Sequence, residues 1–228
     1  MMGHTHTLTG AVAWLGATPL LAAAGFPLGP AEVVAGGLIC AGAAMLPDLD
    51  HPSATIAQTY GPVTWVLSRV VNWASGGHRK ATHSLLFAAA AGIGAQALAD
   101  RTELGRNILI FLMIGLALRG LGVGIPRKRI ASAFVNAGLT LGTMAALATF
   151  DLRYDWLGAA IALGCLAHIA GDCFTEKGCP IFWPVKTRFA LPFGLGIDTG
   201  GKIEMRLLTP LFTVAAAGLL VFRLVPLT

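Results

Sequence analysis

The chain has 228 residues, 55% of them hydrophobic and only 12% charged, with a mean hydropathy of +0.72. A soluble domain carries about 25% charged residues, so this composition excludes an ordinary soluble fold and points to a chain that crosses a membrane several times. The formal net charge of +5 then reads as topology, loop by loop, and no nucleic-acid partner is expected.

Seven apolar stretches follow in order: residues 8–26, 31–46, 82–99, 107–124, 132–150, 156–173 and 207–225. Each approaches the roughly 20 residues that span a bilayer core, the second being the shortest fit. Pro19 is expected to kink the first. No basic region precedes that first stretch and no cleavage site follows it, so it reads as a retained helix. Arg119 lies in the fourth, where a charge is costly in lipid unless it faces the bundle interior or snorkels. Abundant glycine (29 residues) suits close helix packing. Cys40, Cys165, Cys173 and Cys179 form no Cys-x-x-Cys pair, which argues against a zinc ribbon and a disulfide framework. The fold expected is an all-α polytopic bundle of about seven spans.

Two connections are long. In residues 47–81, Val63, Val66, Leu67, Val70 and Val71 recur at helical spacing opposite Thr64, Ser68 and Asn72. This predicts an amphipathic helix on the membrane surface, with Trp65 and Trp73 near the headgroups. Residues 174–206 are rich in Gly, Pro and aromatics and leave room for a short hairpin. Alternation of the spans puts Arg69, Arg79, Lys80, Arg127, Lys128, Arg129, Lys177, Lys186, Arg188, Lys202 and Arg206 on the side of the N-terminus. Only Arg101, Arg106, Arg153 and Arg223 fall on the other, so the first side is expected to be cytoplasmic.

All six histidines fall on that cytoplasmic side. His4 and His6 precede the first span. Asp48, Asp50 and His51 follow the second in Pro-Asp-Leu-Asp-His-Pro, and His78 and His83 precede the third in Gly-His-Arg-Lys-Ala-Thr-His-Ser. His168 and Asp172 occupy the last turns of the sixth, on one helical face. Histidine and carboxylate together are the usual ligands of zinc and related borderline metals. Thr82 is a natural N-cap that would place His83 in a first helical turn, and Arg79 suits bidentate contact with phosphate. Plainer readings stand beside each motif: Asp-rich turns, an interfacial basic loop, a polar pair that glues helices, a disordered His-Thr-His end. Glu176, Arg188 and Glu204 share the side and could bind substrate or simply be solvated. Walker A, Gly-x-Ser-x-Gly and His-Glu-x-x-His motifs are absent, so NTPase, serine hydrolase and zincin readings lack support.

At Thr-His-x-Leu-x-Gly (5–10), Leu-Pro-Asp-Leu-Asp-His-Pro (46–52), Gly-His-Arg-x-x-Thr-His-Ser (77–84), His-x-x-x-Asp (168–172) and Trp-Pro…Arg-Phe-x-Leu-Pro (183–192), the chain resembles the YdjM-like membrane-bound metal-dependent hydrolases. The resemblance covers residues 1–98 and about 155–206, with 100–154 as an inserted helical pair in a single domain of residues 1–228. It implies a hydrolase of the inner membrane, and by remote analogy with zinc-dependent phospholipase C-like enzymes a phosphoester of a membrane lipid or lipid-linked substrate.

The expected metal ligands are His6, Asp48, Asp50, His51, His78, His83, His168 and Asp172. Catalytic roles are expected of Asp48, Asp50, Arg79 and His83, one Asp acting as ligand or as general base, and substrate contacts of Arg79, Arg188 and Glu204. These ligands exceed the four of one tetrahedral zinc, so one or two divalent ions are expected, zinc first and manganese or magnesium next. A metal transporter or sensor, a b-type haem protein and a scaffold with a structural metal are the rival readings.

Overall fold

The computed structural model describes residues 1–54, 56–125 and 129–225, without the side chains of Arg129 and Phe193. Its α-helices are α1 (Gly3–Ala23), α2 (Pro30–Ala43), α3 (Pro62–Ala74), α4 (Leu85–Arg101), α5 (Glu103–Gly120), α6 (Arg129–Leu147), α7 (Leu157–Cys173) and α8 (Thr209–Leu224). Short 3-10 turns at Pro47–Asp50, Ile56–Gln58 and Ala81–His83 punctuate the path from α2 to α4, and a π-helical turn, Glu204–Leu208, leads into α8. The fold is all-helical. Among the described residues, 174–206 hold only the isolated bridges Thr175–Ile197 and Cys179–Phe189 in place of the anticipated hairpin.

Seven helices occupy the seven apolar stretches, and α3 is the amphipathic helix between the second and third. Among the described residues, three segments are long and apolar enough to cross a membrane: Pro30–Asp50, Ile130–Leu147 and Glu204–Leu224, with Leu157–Cys173 apolar but shorter. The remaining helices fall short for visible reasons. α1 mixes His4, His6 and four threonines among its apolar residues, α4 has 17 residues, and α5 carries Glu103, Arg106 and Arg119. Arg119 belongs to the last turn of α5, where its guanidinium reaches the Val123 carbonyl at 3.5 Å. It therefore sits at a helix end and not within a span.

α2 is the axis of the bundle, packed against α1, α5 and α7. Small residues allow this. A Cβ at Gly42 would lie 1.8 Å from the Met113 carbonyl oxygen of α5, and one at Gly164 of α7 would lie 2.4 Å from the Cys40 carbonyl oxygen. Such backbone contacts are open only to glycine, and they are how helices gain dispersion contacts where lipid removes the hydrophobic driving force. Trp14 fills the space beside α2, donating Nε1–H to the Val33 carbonyl at 3.1 Å and packing on Trp156.

α3 and α6 are built inside out. On α3, Thr64 and Ser68 are buried while Val63, Val66, Val70 and Trp73 are exposed. On α6, Ser132, Asn136 and Thr140 are buried at i, i+4, i+8 while Ile130, Phe134 and Leu141 are exposed. Apolar residues facing outward in this way suit a lipid environment. The basic loop residues Arg127 and Lys128 lie outside the described residues.

Candidate functional site

The polar motifs meet at one end of the bundle. α2 ends at Ala43, and the stiff Pro47–Asp50 turn carries Asp48 and Asp50 over the ends of α1 and α7. His168 and Asp172 share one face of the last turns of α7, and both are buried. The third motif folds differently from the expectation. Ser84, not Thr82, caps α4, its hydroxyl accepting the Phe87 N–H at 3.2 Å. His83 therefore sits in the 3-10 turn that precedes the helix, and Thr82 is free to donate its hydroxyl to Asp50 Oδ2 at 2.5 Å.

Four ligand atoms from three motifs converge. His83 Nε2 lies 3.2 Å from His168 Nε2, 3.7 Å from Asp48 Oδ1 and 3.6 Å from Asp172 Oδ2. His168 Nε2 lies 3.8 Å from Asp48 Oδ1 and 3.7 Å from Asp172 Oδ2. Tetrahedral zinc with bonds of 2.0–2.1 Å sets its N and O ligands roughly 3.3 Å apart, so this spacing suits one ion. The far nitrogens are held as a metal site requires. His168 Nδ1–H is directed at the Ala44 carbonyl at 2.7 Å, leaving Nε2 with its lone pair when the ring is neutral. His83 Nδ1 faces Thr82 Oγ1 at 3.1 Å and Asp50 Oδ2 at 3.5 Å.

The residues fit a cation in a second respect. His6 stacks on His168 with ring centroids 3.7 Å apart, and both His6 ring nitrogens are buried without a hydrogen-bond partner, Nε2 lying 3.3 Å from Asp172 Oδ1. Buried ring nitrogens left unpaired are costly, and a metal ion is one of the few groups that satisfies them. His6, His168 and Asp172 form one potential ligand group, and Asp48, His78 and His83 form another. Burial alone would lower the His83 imidazole, but Asp48 and Asp50 beside it push it up to about 9. The same negative surroundings that hold a proton there favour a cation.

The structure redistributes several expected roles. Asp50 was expected as a ligand, yet both its oxygens are taken: Oδ1 receives His78 Nδ1–H at 2.7 Å, and Oδ2 receives the Arg79 N–H at 3.1 Å and Thr82. It orients the ligand-bearing loop. His51 stands outside both groups, its Nδ1 on Ser53 Oγ at 2.9 Å, though its ring meets His78 edge to face. Glu204 is fully buried, with Oε1 accepting the Met2 N–H at 2.6 Å and Oε2 the Gly200 N–H at 2.8 Å. It anchors the start of α1 and is not offered to a substrate, because burial and two backbone donors leave it no free face. Glu176 is exposed. His4 bonds Thr209 at 3.3 Å and takes no part in the cluster.

Arg79 adopts a left-handed φ of 58°, unusual for a non-glycine residue and held by the Asp50 contact to its own N–H. Its guanidinium is clamped by Asp172 Oδ2 at 2.9 Å, Thr175 Oγ1 at 3.3 Å and the Gly178 carbonyl at 3.3 Å. Asp172 Oδ1 also meets the Met1 amine at 2.8 Å. Sequence reading missed Thr175 and the carbonyls of Ala44 and Gly178. A backbone carbonyl has no side-chain signature, and Thr175, three residues past Asp172 in the loop after α7, is a lone hydroxyl outside the motif pattern, held there by its bond to the Asp172 carbonyl at 2.7 Å. A cleft of about 380 Å³, bordered by Asp48, His51, His78, Arg79, Met45 and Lys177, opens onto the cluster.

A protein-family model described as YdjM inner membrane protein matches residues 1–122 and 132–226. The proteins named inner membrane protein YdjM from Escherichia coli (strain K12) and from Shigella flexneri are each 39% identical to the chain over 95 residues, 37% of this chain and 48% of theirs. The chain thus spans about half the length of these curated relatives. No solved structure matches.

Proposed function

The chain belongs to the YdjM inner membrane protein family, and from that premise we propose that it is a membrane-bound metal-dependent hydrolase acting on a phosphoester of a lipid or lipid-linked substrate. The observation that carries the reading is the convergence of His83 Nε2, His168 Nε2, Asp48 Oδ1 and Asp172 Oδ2, with buried His6 atoms beside them still unpartnered. One or two divalent ions, zinc first, would be held by His83, His168, Asp48 and Asp172 with His6 and His78. A bound ion would supply Lewis-acid activation of water and of the phosphoryl oxygen. The remaining work falls to the chain. Asp48 is the carboxylate that borders the cleft, and where it does not ligate the ion it would accept the proton of the attacking water. Arg79, fixed by Asp172, Thr175 and Gly178, would hold a phosphate oxygen at the cleft wall. Asp50 would keep the His78 ring in place through Nδ1.

In this reading all seven apolar helices cross the inner membrane, α3 lies on its surface, and the cleft faces the cytoplasm. A metal transporter would need ligands deeper in the spans. Among the described residues, the buried α6 seam offers Ser132, Asn136 and Thr140, whose hydroxyls and amide bond within the fold. The test is metal analysis of the purified protein, followed by phosphatase, phosphodiesterase and phospholipase assays before and after a chelator. Stoichiometric metal with chelator-sensitive hydrolysis is expected, and absence of metal in protein purified without chelator sinks the proposal.

A further inference from the structure

A second cleft, about 510 Å³, lies on the other side of Arg79, lined by Arg79, Lys80, Lys186 and Arg188 with Trp183 among its walls and no carboxylate. Arg79 borders both clefts. Among the described residues, Lys80, Lys186 and Arg188 form no ion pair, and all three are exposed. Arg79 is nine-tenths buried, and its Nε has no hydrogen-bond partner although Nη1 and Nη2 are clamped. Arg79 is paired with Asp172, but Lys80, Lys186 and Arg188, gathered from two separate loops around one cavity with no acid paired to them among the described residues, are a recognition surface for an anion. The position suggests its source. The cleft begins at Ala74, Ser75 and Gly76, at the C-terminal end of α3, whose outward face exposes Val63, Val66, Val70 and Trp73. An apolar face at the membrane surface places the adjoining cations at headgroup depth.

We infer that this second cleft binds the phosphate of an acidic phospholipid, so that the proposed hydrolase selects an anionic lipid headgroup across Arg79. The inference rests on the hydrolase reading for its consequence in catalysis, while headgroup binding is measured without it. A free soluble phosphate would satisfy the cations equally. It is disfavoured because the cleft adjoins the exposed face of α3.

The test uses the full chain in a neutral detergent, titrated with dioctanoyl phosphatidylglycerol, dioctanoyl phosphatidylcholine and glycerol 3-phosphate, with bound zinc assayed in parallel. Phosphatidylglycerol is expected to bind at least on the order of tenfold more tightly than phosphatidylcholine, a preference that weakens as salt rises. Lys186→Gln with Arg188→Gln should remove that preference and leave bound zinc unchanged. Lys186→Arg with Arg188→Lys keeps the charges and should preserve it, which separates lost recognition from lost folding. Equal binding of the two lipids by the unaltered protein, or a preference that survives the glutamine variant, overturns the inference; in either case these cations serve only to orient the chain in the membrane. Glycerol 3-phosphate binding as tightly as phosphatidylglycerol overturns the choice of a lipid. A lipid preference in protein that binds no zinc leaves this inference standing and removes the hydrolase reading.

Discussion

At the start of α2, Glu32 collects the Gly29 N–H at 2.8 Å and the Arg153 side chain, whose Nε and Nη2 each lie at 3.1 Å. Just beyond the other end of the same helix, Asp48 sits among His83, His168 and the buried Asp172, with the nearest of those imidazole nitrogens at 3.7 Å. Both ends place carboxylates largely out of solvent, but they treat them differently. Glu32 is closed: every contact it makes is a hydrogen bond to a donor that the chain supplies. At the other end Asp172 is held by the Met1 amine and Arg79, but Asp48 faces His83 Nε2 and His168 Nε2 at 3.7 and 3.8 Å, longer than hydrogen bonds and about right for shared ligation. A buried carboxylate by itself says little. The distinguishing mark is whether the fold has provided its partners.

That contrast can be broken by substitution. The largest effect is expected at the open end, where His168→Ala or Asp172→Asn should abolish metal content in purified protein while the helical circular dichroism signal remains. Retention of full metal content by both variants would falsify the cluster. Next comes Asp50→Asn, which touches no ion directly. Loss of an outer carboxylate partner typically costs roughly 10–100-fold in metal affinity, so competition with a chelator should report a shift of that size. Glu32→Gln should do the reverse: metal content stays, and the melting temperature falls because Arg153 loses its carboxylate partner. If Glu32→Gln emptied the metal, the two ends would be coupled and the comparison would be wrong.

A fourth measurement uses pH. His83 is raised above its ordinary value, so its protonated form stabilises the metal-free fold fully below about 6.5, and that contribution fades as pH rises through about 9. Metal needs the neutral ring. Zinc binding at pH 7.5 should therefore release close to one proton from His83, and at pH 10 almost none, read by calorimetry in buffers of different ionisation enthalpy. The same release at both values would show that His83 is not the group displaced. The smallest effect is expected in the α6 seam. Asn136→Ala leaves the Gly115 carbonyl without its donor, costs about 1 kcal/mol of stability and leaves metal content unchanged.

Much of this organisation is written in local sequence. The seven apolar stretches became helices because their lengths and compositions admit little else, and α3 followed from its valines at helical spacing. His168 and Asp172 share a face by the helical repeat alone, and Pro47 and Pro52 fix the turn that carries the aspartates. The division of labour inside the cluster was decided elsewhere. Asp48 and Asp50 are two residues apart and chemically identical, yet one borders the cleft and the other is saturated by His78, Arg79 and Thr82. Glu204 reads from sequence as a substrate contact, and the fold makes it the anchor for α1. Residue type and spacing determine which groups have the chemistry to ligate and which lie near helix ends. Only the packing of α1, α7 and the loop before α4 around α2 determines which of them keep an unpaired atom, because hydrogen-bond satisfaction depends on partners distant in the chain.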